Sequence, residues 1–447
     1  MNSASGHIEP TSSEAKSHCE SPTKHSGLPW RLGHFRWVIC SLLLLGVTKN
    51  YMDRNIFGVL NATLQHDLHW SERDYSHLVA AFQGAYALGL IFAGRVIDRL
   101  GTRLGYAIAM AVWSIASVGT AFAGTLNAFI GLRIVLGFGE SAVFPASLKA
   151  VAEWFPKRES ALATGIFNAG TNIGAILTPV VVAAITRYWG WRGAFVAIGA
   201  VGFLWLIFWL VLYRKPENHP RVTPAELAHI RSDAVETKAR ITWATLLPLR
   251  QTWAITLGKF LTDPVWFFYL YWLPEFLQHK HGLTLSQVAL PITAVYVIAD
   301  IGSIAGGWLS SQLIKRGRTV NAARKISMLI CALAVVPVSF AYRASHMWTA
   351  VLLIGLAAAA HQGFSANVYT LASDMFPSRA VGSVIGIAGS AGAFGGMLMA
   401  TLVGHVLEKS GSFGVPFVIG SVAYLVALAI IQLLAPRLHP PRLPELS

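Results

Sequence analysis

From residue 36 to residue 436 the chain is a succession of apolar stretches separated by short polar breaks. Each stretch approaches the roughly 20 residues that a helix needs to cross a hydrocarbon core. They fall near 36–62, 75–98, 103–124, 127–150, 159–186, 193–213, 250–278, 286–313, 325–342, 348–371, 380–407 and 415–436. The runs are continuous rather than alternating with period two, which excludes a transmembrane barrel. Composition agrees: 54% of the residues are hydrophobic, 13% are charged, and the mean hydropathy is +0.53. A soluble domain carries about 25% charged residues. Disordered, collagen-like and disulfide-stapled classes are excluded by the same figures. The expected fold class is all-α: a polytopic membrane protein with twelve transmembrane helices in two pseudo-symmetric six-helix bundles.

The polar segments set the expected domain limits. Residues 1–35 are rich in Ser, His and Pro and lack the apolar core of a signal peptide, so they read as a disordered cytoplasmic tail. Bundles at 36–213 and 250–436 flank a cytoplasmic linker at 214–249, and 437–447 form a second cytoplasmic tail. The net charge is +14. With the first tail inside, only Arg73, Arg187, Arg192, Lys280, Arg343 and Lys409 fall on the outer side. Most other Lys and Arg, among them Arg95, Lys149, Lys157, Arg158, Lys315, Arg316 and Lys325, fall on the inner side. This bias places both termini in the cytoplasm and explains the charge without nucleic acid. Cys19, Cys40 and Cys331 have no metal-site or disulfide spacing.

An internal repeat supports the two halves. Glu153-Trp-Phe-Pro-Lys-Arg recurs 221 residues on as Asp374-Met-Phe-Pro-Ser-Arg. At the same offset Gly165, Ile166 and Gly174 match Gly386, Ile387 and Gly395. Six-helix halves related about the membrane normal describe an alternating-access transporter with its substrate site between them. Between helices two and three lies Gly94-x-x-x-Asp98-Arg99-x-Gly101-x-Arg103; the second half has Gly307, Ser311 and Lys315-Arg316-Gly317-Arg318 in its place. Gly94 and Gly307 suit close helix approach, and Asp98 suits pairing with a helix end or with a basic group across the halves, a contact whose breakage would open the cytoplasmic side. The pattern resembles the signature loop of the major facilitator superfamily, whose second copy is often degraded.

Eight ionisable residues stand out inside the expected spans: Lys49, Asp53, Arg54, Arg133, Glu140, Lys259, Asp263 and Asp300. Each costs roughly 2.5–3.5 kcal/mol at a helix centre, so they should face one another and a wet cavity. Arg133 and Glu140 are two turns apart on one face, with Gly137 and Gly139 leaving room for a neighbouring helix. Lys49, one turn before Asp53, favours ionised Asp53, whereas Glu140 has no basic residue within a turn. The two acids therefore suit sequential proton loading. Lys259 and Asp263 form an i,i+4 pair before Pro264, where a kink or break in helix seven is expected. They read equally as substrate-site residues and as a structural pair; Asp300 reads as structural. On helix ten, Gln362, Ser365, Asn367 and Tyr369 could read sugar hydroxyls, since amides both donate and accept.

Several of these segments carry a closer resemblance. Asn50-Tyr51-Met52-Asp53-Arg54-Asn55 is similar to the N-Y-x-D-R-x segment of the anion:cation symporter branch of that superfamily. Gly131-Leu132-Arg133 through Gly139-Glu140, with Phe144-Pro145, resembles its fourth helix. The segments Gly165–Gly170, H-Q-G-x-S-A-N at 361–367, S-D-M-F-P at 373–377 and Lys259–Trp266 look most like its hexuronate transporters. The resemblance implies import of organic anions, chiefly sugar acids, in symport with protons across a bacterial inner membrane. It implies that Asp53 and Glu140 are the protonation pair, that Arg54 takes the substrate carboxylate, and that Arg133 couples anion to proton. It places Tyr51 and Tyr86 in the site. Thr171, beside Asn172, stands where the aldonate transporters have Gln, and Asn168 could compensate.

No nucleophile–base set, phosphate loop or metal-ligand cluster is legible, so no enzyme, cofactor or metal is expected. His279 and His281, flanking Lys280, read as a solvated face. A drug exporter fits poorly with buried Arg54 and Arg133. A transporter-like sensor would add a long signalling extension. The expected partners are a small organic anion, protons and the bilayer, with the protein a monomer. Hexuronates are the first expectation and galactonate or glucarate the alternative.

Overall fold

The computed structural model describes residues 34–232 and 243–440. Nearly all of the first tail with Cys19, the middle of the 214–249 segment and the last residues of the second tail lie outside the described residues.

The first half begins with α1 (Phe35–Leu68), α2 (Glu72–Leu100) and α3 (Thr102–Thr120). His69 closes α1 in the left-handed conformation, and its neighbour Trp70 N–H donates back to Gln65 O. A capping box starts α2: Ser71 Oγ accepts from Asp74 N–H, and the Asp74 carboxylate accepts from Ser71 N–H. Gly101 turns α2 into α3 at φ 77°, a conformation that disfavours any side chain.

The fourth apolar stretch is not one helix. It divides into α4 (Leu126–Glu140) and α5 (Val143–Trp154), because Pro145 cannot donate to the carbonyl one turn back. The next two expected helices form one helical run, α6 (Lys157–Leu212), interrupted by non-helical Gly190 (φ 65°). Its apolar portion, Leu162–Leu212, has 51 residues. At 1.5 Å per residue it would be about 77 Å long, too long for one crossing of a core about 30 Å thick.

Two short helices, α7 (Pro224–Ile230) and α8 (Trp243–Leu246), lie in the polar segment. The second half continues with α9 (Arg250–His281), α10 (Ala289–Lys315), α11 (Val320–Val335), α12 (Met347–Met375), α13 (Ser378–Ser410) and α14 (Gly414–Leu434). The expected break at Pro264 is not there: α9 is continuous through Pro264 and Pro274. Among the described residues, eight helical runs are long and apolar enough to cross a membrane. The polar helices α1 and α9 are not among them.

Packing is pseudo-symmetric. α1 lies on α6 as α9 lies on α13, and α2 lies on α4 as α10 lies on α12. The halves meet through α2 with α13, α6 with α10, and α1 with α9. Polar contacts between the halves occur at mid-depth and toward the end marked by Trp70. Tyr75 Oη donates to Tyr271 O (3.1 Å), Asn61 Nδ2 to Glu275, and Asn172 Nδ2 to Asp300; Arg73 approaches Glu408 (3.9 Å). At the opposite, Gly101 end, Lys149 pairs with Asp98 (3.0 Å) and Arg324 with Asp374 (2.9 Å), each inside its own half. One ion-pair partner of Asp98 thus lies in its own half.

Close helix approach is also placed differently from expectation. A Cβ at Gly94 or Gly307 would meet nothing within 4 Å, whereas at Gly306 it would strike the backbone of Gly363 on α12. Gly306→Ala should cost about 1–3 kcal/mol by overpacking. Gly94→Ala should stay within about 0.5 kcal/mol. Thermal unfolding of both variants in detergent checks the contrast.

Candidate functional site

The polar core of the first half is assembled from α1, α2, α3 and α4. Lys49 pairs with Asp53 one turn along α1 and donates to Ser114 Oγ (3.1 Å) on α3. Ser117 Oγ donates to Asp53 Oδ1 (2.7 Å). One residue on, Arg54 crosses to α4 and donates to Glu140 Oε2 from Nε (3.2 Å) and Nη2 (3.0 Å). Its guanidinium lies 4.5 Å from the Tyr86 ring centroid, 5.0 Å from Tyr51 and 5.2 Å from Phe82. Glu140 thus has a basic partner after all, supplied through space from another helix.

Arg133 has a different environment. It is 1% exposed, and among the described residues none of its three guanidinium nitrogens has a hydrogen-bond acceptor. Its cation is held between the rings of Phe57 (4.2 Å) and Phe82 (4.5 Å). Such contacts are worth about 0.5–2 kcal/mol each, far less than an ion's desolvation. Although two turns from Glu140 on the same helix, Arg133 does not hydrogen-bond it in this conformation; Arg54 does. In their usual charge states, the three cations Lys49, Arg54 and Arg133 face the two carboxylates Asp53 and Glu140. A surplus positive charge is buried, and an anion would neutralise it.

The second half presents a balanced counterpart. Lys259 pairs with Asp263 (2.7 Å), donates to Ser365 Oγ (3.0 Å) and lies 4.4 Å from the ring centroid of Tyr369. His361 stacks on Trp266 (5.1 Å) and shares a hydrogen bond with Tyr424 Oη (2.7 Å). Lys49/Asp53 and Lys259/Asp263 are the same Lys-x-x-x-Asp pattern on the first helix of each half.

The other expected site residues divide. Tyr51, Tyr86, Ser365 and Tyr369 lie against Arg54 or Lys259, as above. Asn172 reaches across to Asp300 on α10, with Thr171 Oγ1 3.5 Å from its Oδ1. Asn168 is exposed and Gln362 half-buried. Asn367 is engaged through its donor, since its Nδ2 donates to Gly363 O (2.9 Å), Ser327 Oγ (3.2 Å) and Gly306 O (3.3 Å), while its Oδ1 has no partner among the described residues. Its amide donor holds α12 against α10 and α11, the packing role common for Asn in membranes. In the loop, Arg103 donates to Leu210 O. The side chain of Arg99 is exposed.

Sequence reasoning missed Gln83 and Asn55. Both are buried, and both leave donor and acceptor unpartnered among the described residues. Gln83 sits one residue from Phe82, inside an apolar run; Asn55 follows Arg54 directly. Glu275 was also detectable, since it lies within the expected span 250–278, where an acid is costly.

This is a site for moving a charged solute rather than for making or breaking bonds in one, and the chain belongs to the Major Facilitator Superfamily, whose family model matches residues 43–324 and 317–447. It is a multi-pass membrane transporter, not an enzyme. The hexuronate transporter of Escherichia coli K12 is 32% identical over 408 residues, covering 89% of this chain and 94% of that protein. The D-galactonate transporter of Escherichia coli O6:H1 is 28% identical, covering 90% and 96%. The fold is also that of the xylose transporter XylE from Escherichia coli in an inward open conformation, at TM-score 0.68 and 18% identity, over 88% of this chain and 95% of that one.

The Lys49–Asp53 pair provides a test of the buried charges. Removing one partner of a buried pair costs about 3–5 kcal/mol, because the other charge is stranded. Lys49→Met should therefore destabilise strongly, and Lys49→Met/Asp53→Asn should recover part of that loss. A double-mutant cycle of thermal unfolding in detergent checks it.

Proposed function

We propose that this chain is a proton-coupled importer of sugar-acid anions, with hexuronates such as glucuronate and galacturonate as its substrates. The observation that carries this reading is the buried positive surplus in which Arg54 is held by Glu140 while Arg133 has no acceptor among the described residues. The similarity to the hexuronate transporter and to the galacturonate transporter of Dickeya chrysanthemi supports the substrate class.

In this reading twelve helices form two six-helix bundles, residues 36–213 and 250–436, joined by the segment 214–249. The excess of Lys and Arg at the Gly101 end puts that end in the cytoplasm, with both termini. The Trp70 end, where the halves touch, is then periplasmic and closed, so the conformation faces inward.

Coupling follows from competition for Arg54. In the inward-facing state Glu140 is ionised and occupies Arg54. Opening to the periplasm lets Glu140 take a proton, which frees the guanidinium to hold a substrate carboxylate by two parallel hydrogen bonds. Return to the cytoplasmic side releases the proton, and Glu140 recaptures Arg54 and expels the anion. Arg133, on the same face of α4, favours the ionised carboxylate and so assists that release. Linkage requires each ligand to raise the other's affinity by the same factor. Asp53 is tied to Lys49 and Ser117, so it is the secondary proton site. Gln362, Asn168, Thr171 and Asn172 contribute hydroxyl contacts, while Lys259, Ser365 and Tyr369 form the facing wall.

Arg54→Lys keeps the charge but loses the planar fork. It should weaken anion affinity by roughly tenfold or more, about 1.4 kcal/mol, in a folded protein. Unchanged affinity would move the anchor to Arg133 or Lys259. Glu140→Gln mimics the protonated acid. It should retain anion binding and counterflow exchange but lose accumulation driven by a pH gradient. Both are read in proteoliposomes with labelled glucuronate and galacturonate, with galactonate and glucarate as competitors. Full gradient-driven accumulation by Glu140→Gln would transfer the coupling role to Asp53.

A further inference from the structure

At the Trp70 end the fold brings three metal-ligating side chains from opposite halves together. Glu72 opens α2, and Glu275 and His279 lie four residues apart on one face of α9. One ligand atom of each lies within 4.8 Å of the others. Glu275 is 1% exposed. Glu72 is half-buried and His279 is exposed, so the cluster has a dry floor and a wet rim.

The two carboxylates have no ion pair among the described residues. Arg73, beside Glu72 in the chain, is turned instead to Glu408. Fully buried Asn61 donates its Nδ2 to Glu275 and leaves its own Oδ1 without a partner; Glu72 Oε2 is likewise unpartnered. Oxygen acceptors therefore outnumber donors around a buried acid, and among the described residues no Lys or Arg forms an ion pair with it. Two carboxylates and an imidazole are a donor set for Zn2+ or a similar transition metal, whereas Mg2+ and Ca2+ take oxygen alone. Bonds of about 2.0–2.2 Å put tetrahedral ligand atoms roughly 3.3–3.6 Å apart. Torsions of Glu72 and His279 can supply the approach that remains.

We infer that Glu72, Glu275 and His279 form a divalent transition-metal site that bridges the two halves at this end of the molecule. His279 and His281 alone carry no such signal; the third ligand comes from a helix some 200 residues away in sequence. Because Glu72 belongs to one half and the other two ligands to the other, the metal binds only while this end is closed. It stabilises that state by its binding free energy and draws the population toward it. The site is a clamp, and its transport consequence rests on the alternating-access reading above; metal binding itself does not.

The full-length protein in detergent, titrated with zinc chloride against a chromophoric chelator, should bind one equivalent. Glu72→Gln and His279→Ala, shown folded by circular dichroism and thermal unfolding, should each weaken binding by at least tenfold. Absence of binding by the unaltered protein, as when the two acids share a proton instead, overturns the site. Unchanged binding in either variant does so as well. In proteoliposomes, zinc at the Trp70 face should slow sugar-acid uptake several-fold, reversibly with EDTA, and should not slow the His279→Ala variant. Binding without an effect on uptake overturns the clamp. If the protein carries no sugar acid at all, the titration still decides the site.

Discussion

The contact on which the rest of the site depends is the buried ion pair between Arg54 and Glu140. Neither group is tolerable alone in a medium that cannot solvate it, so the helices bearing them must meet. Glycine permits that meeting. A Cβ at Gly137 would strike the carbonyl of Phe82 on α2, and one at Gly139 would press on Trp113 of α3. With α4 drawn so close, Phe82 falls between the two arginines, 5.2 Å from Arg54 and 4.5 Å from Arg133. The interruption after Glu140, required by Pro145, leaves the acid on the last residue of α4 rather than mid-helix. Charge, close packing and the break are one arrangement.

The halves share an architecture but divide the electrostatics unequally. Each first helix carries a Lys-x-x-x-Asp pair that neutralises itself. Only the first half adds two arginines and one glutamate. The corresponding region of the second half holds the Trp266, His361 and Tyr424 group, joined by stacking and a hydrogen bond. One half is thus suited to switching charge and the other to presenting a polar, aromatic wall. A transporter gains from that division: one charge-switching half is enough when binding and protonation are linked.

How much of this was legible in the sequence depended on whether the signal was local. The helices were legible because hydropathy acts over about 20 consecutive residues. So was the pairing of Lys49 with Asp53 and of Lys259 with Asp263, since i,i+4 spacing makes neighbours on any helix. Arg54 and Glu140 are 86 positions apart, and nothing local says which cation Glu140 meets. Residue type misled where two roles share it. Asn367 divides its two roles, since its Nδ2 is engaged in helix packing while its Oδ1 has no partner among the described residues. Gly94 has the permissiveness for close contact but no neighbour in this conformation. Pro264 has the capacity to break a helix, yet α9 runs through it, and the interruption falls instead in the stretch that holds Pro145.

At the Trp70 end the polar core of the first half lies beside the contact between the halves. Phe57, which bears the Arg133 cation, is followed by Gly58, where a Cβ would collide with the backbone of Leu270 and Tyr271. The carbonyl of Tyr271 in turn accepts from Tyr75 of α2. The unpaired guanidinium is therefore one residue from the place where α1 meets α9 across the halves. The polar ties at this end are few, one of them a weak 3.9 Å approach of Arg73 to Glu408 that is exposed on both sides. Helix packing of α2 on α13 and of α1 on α9 therefore carries most of the contact at this end, and the polar ties add a contribution of only a few kcal/mol. Neutralising one buried charge in the adjacent cluster is of that size, so the proposed coupling needs no long-range device: the charge that would change sits beside the contact that would have to yield.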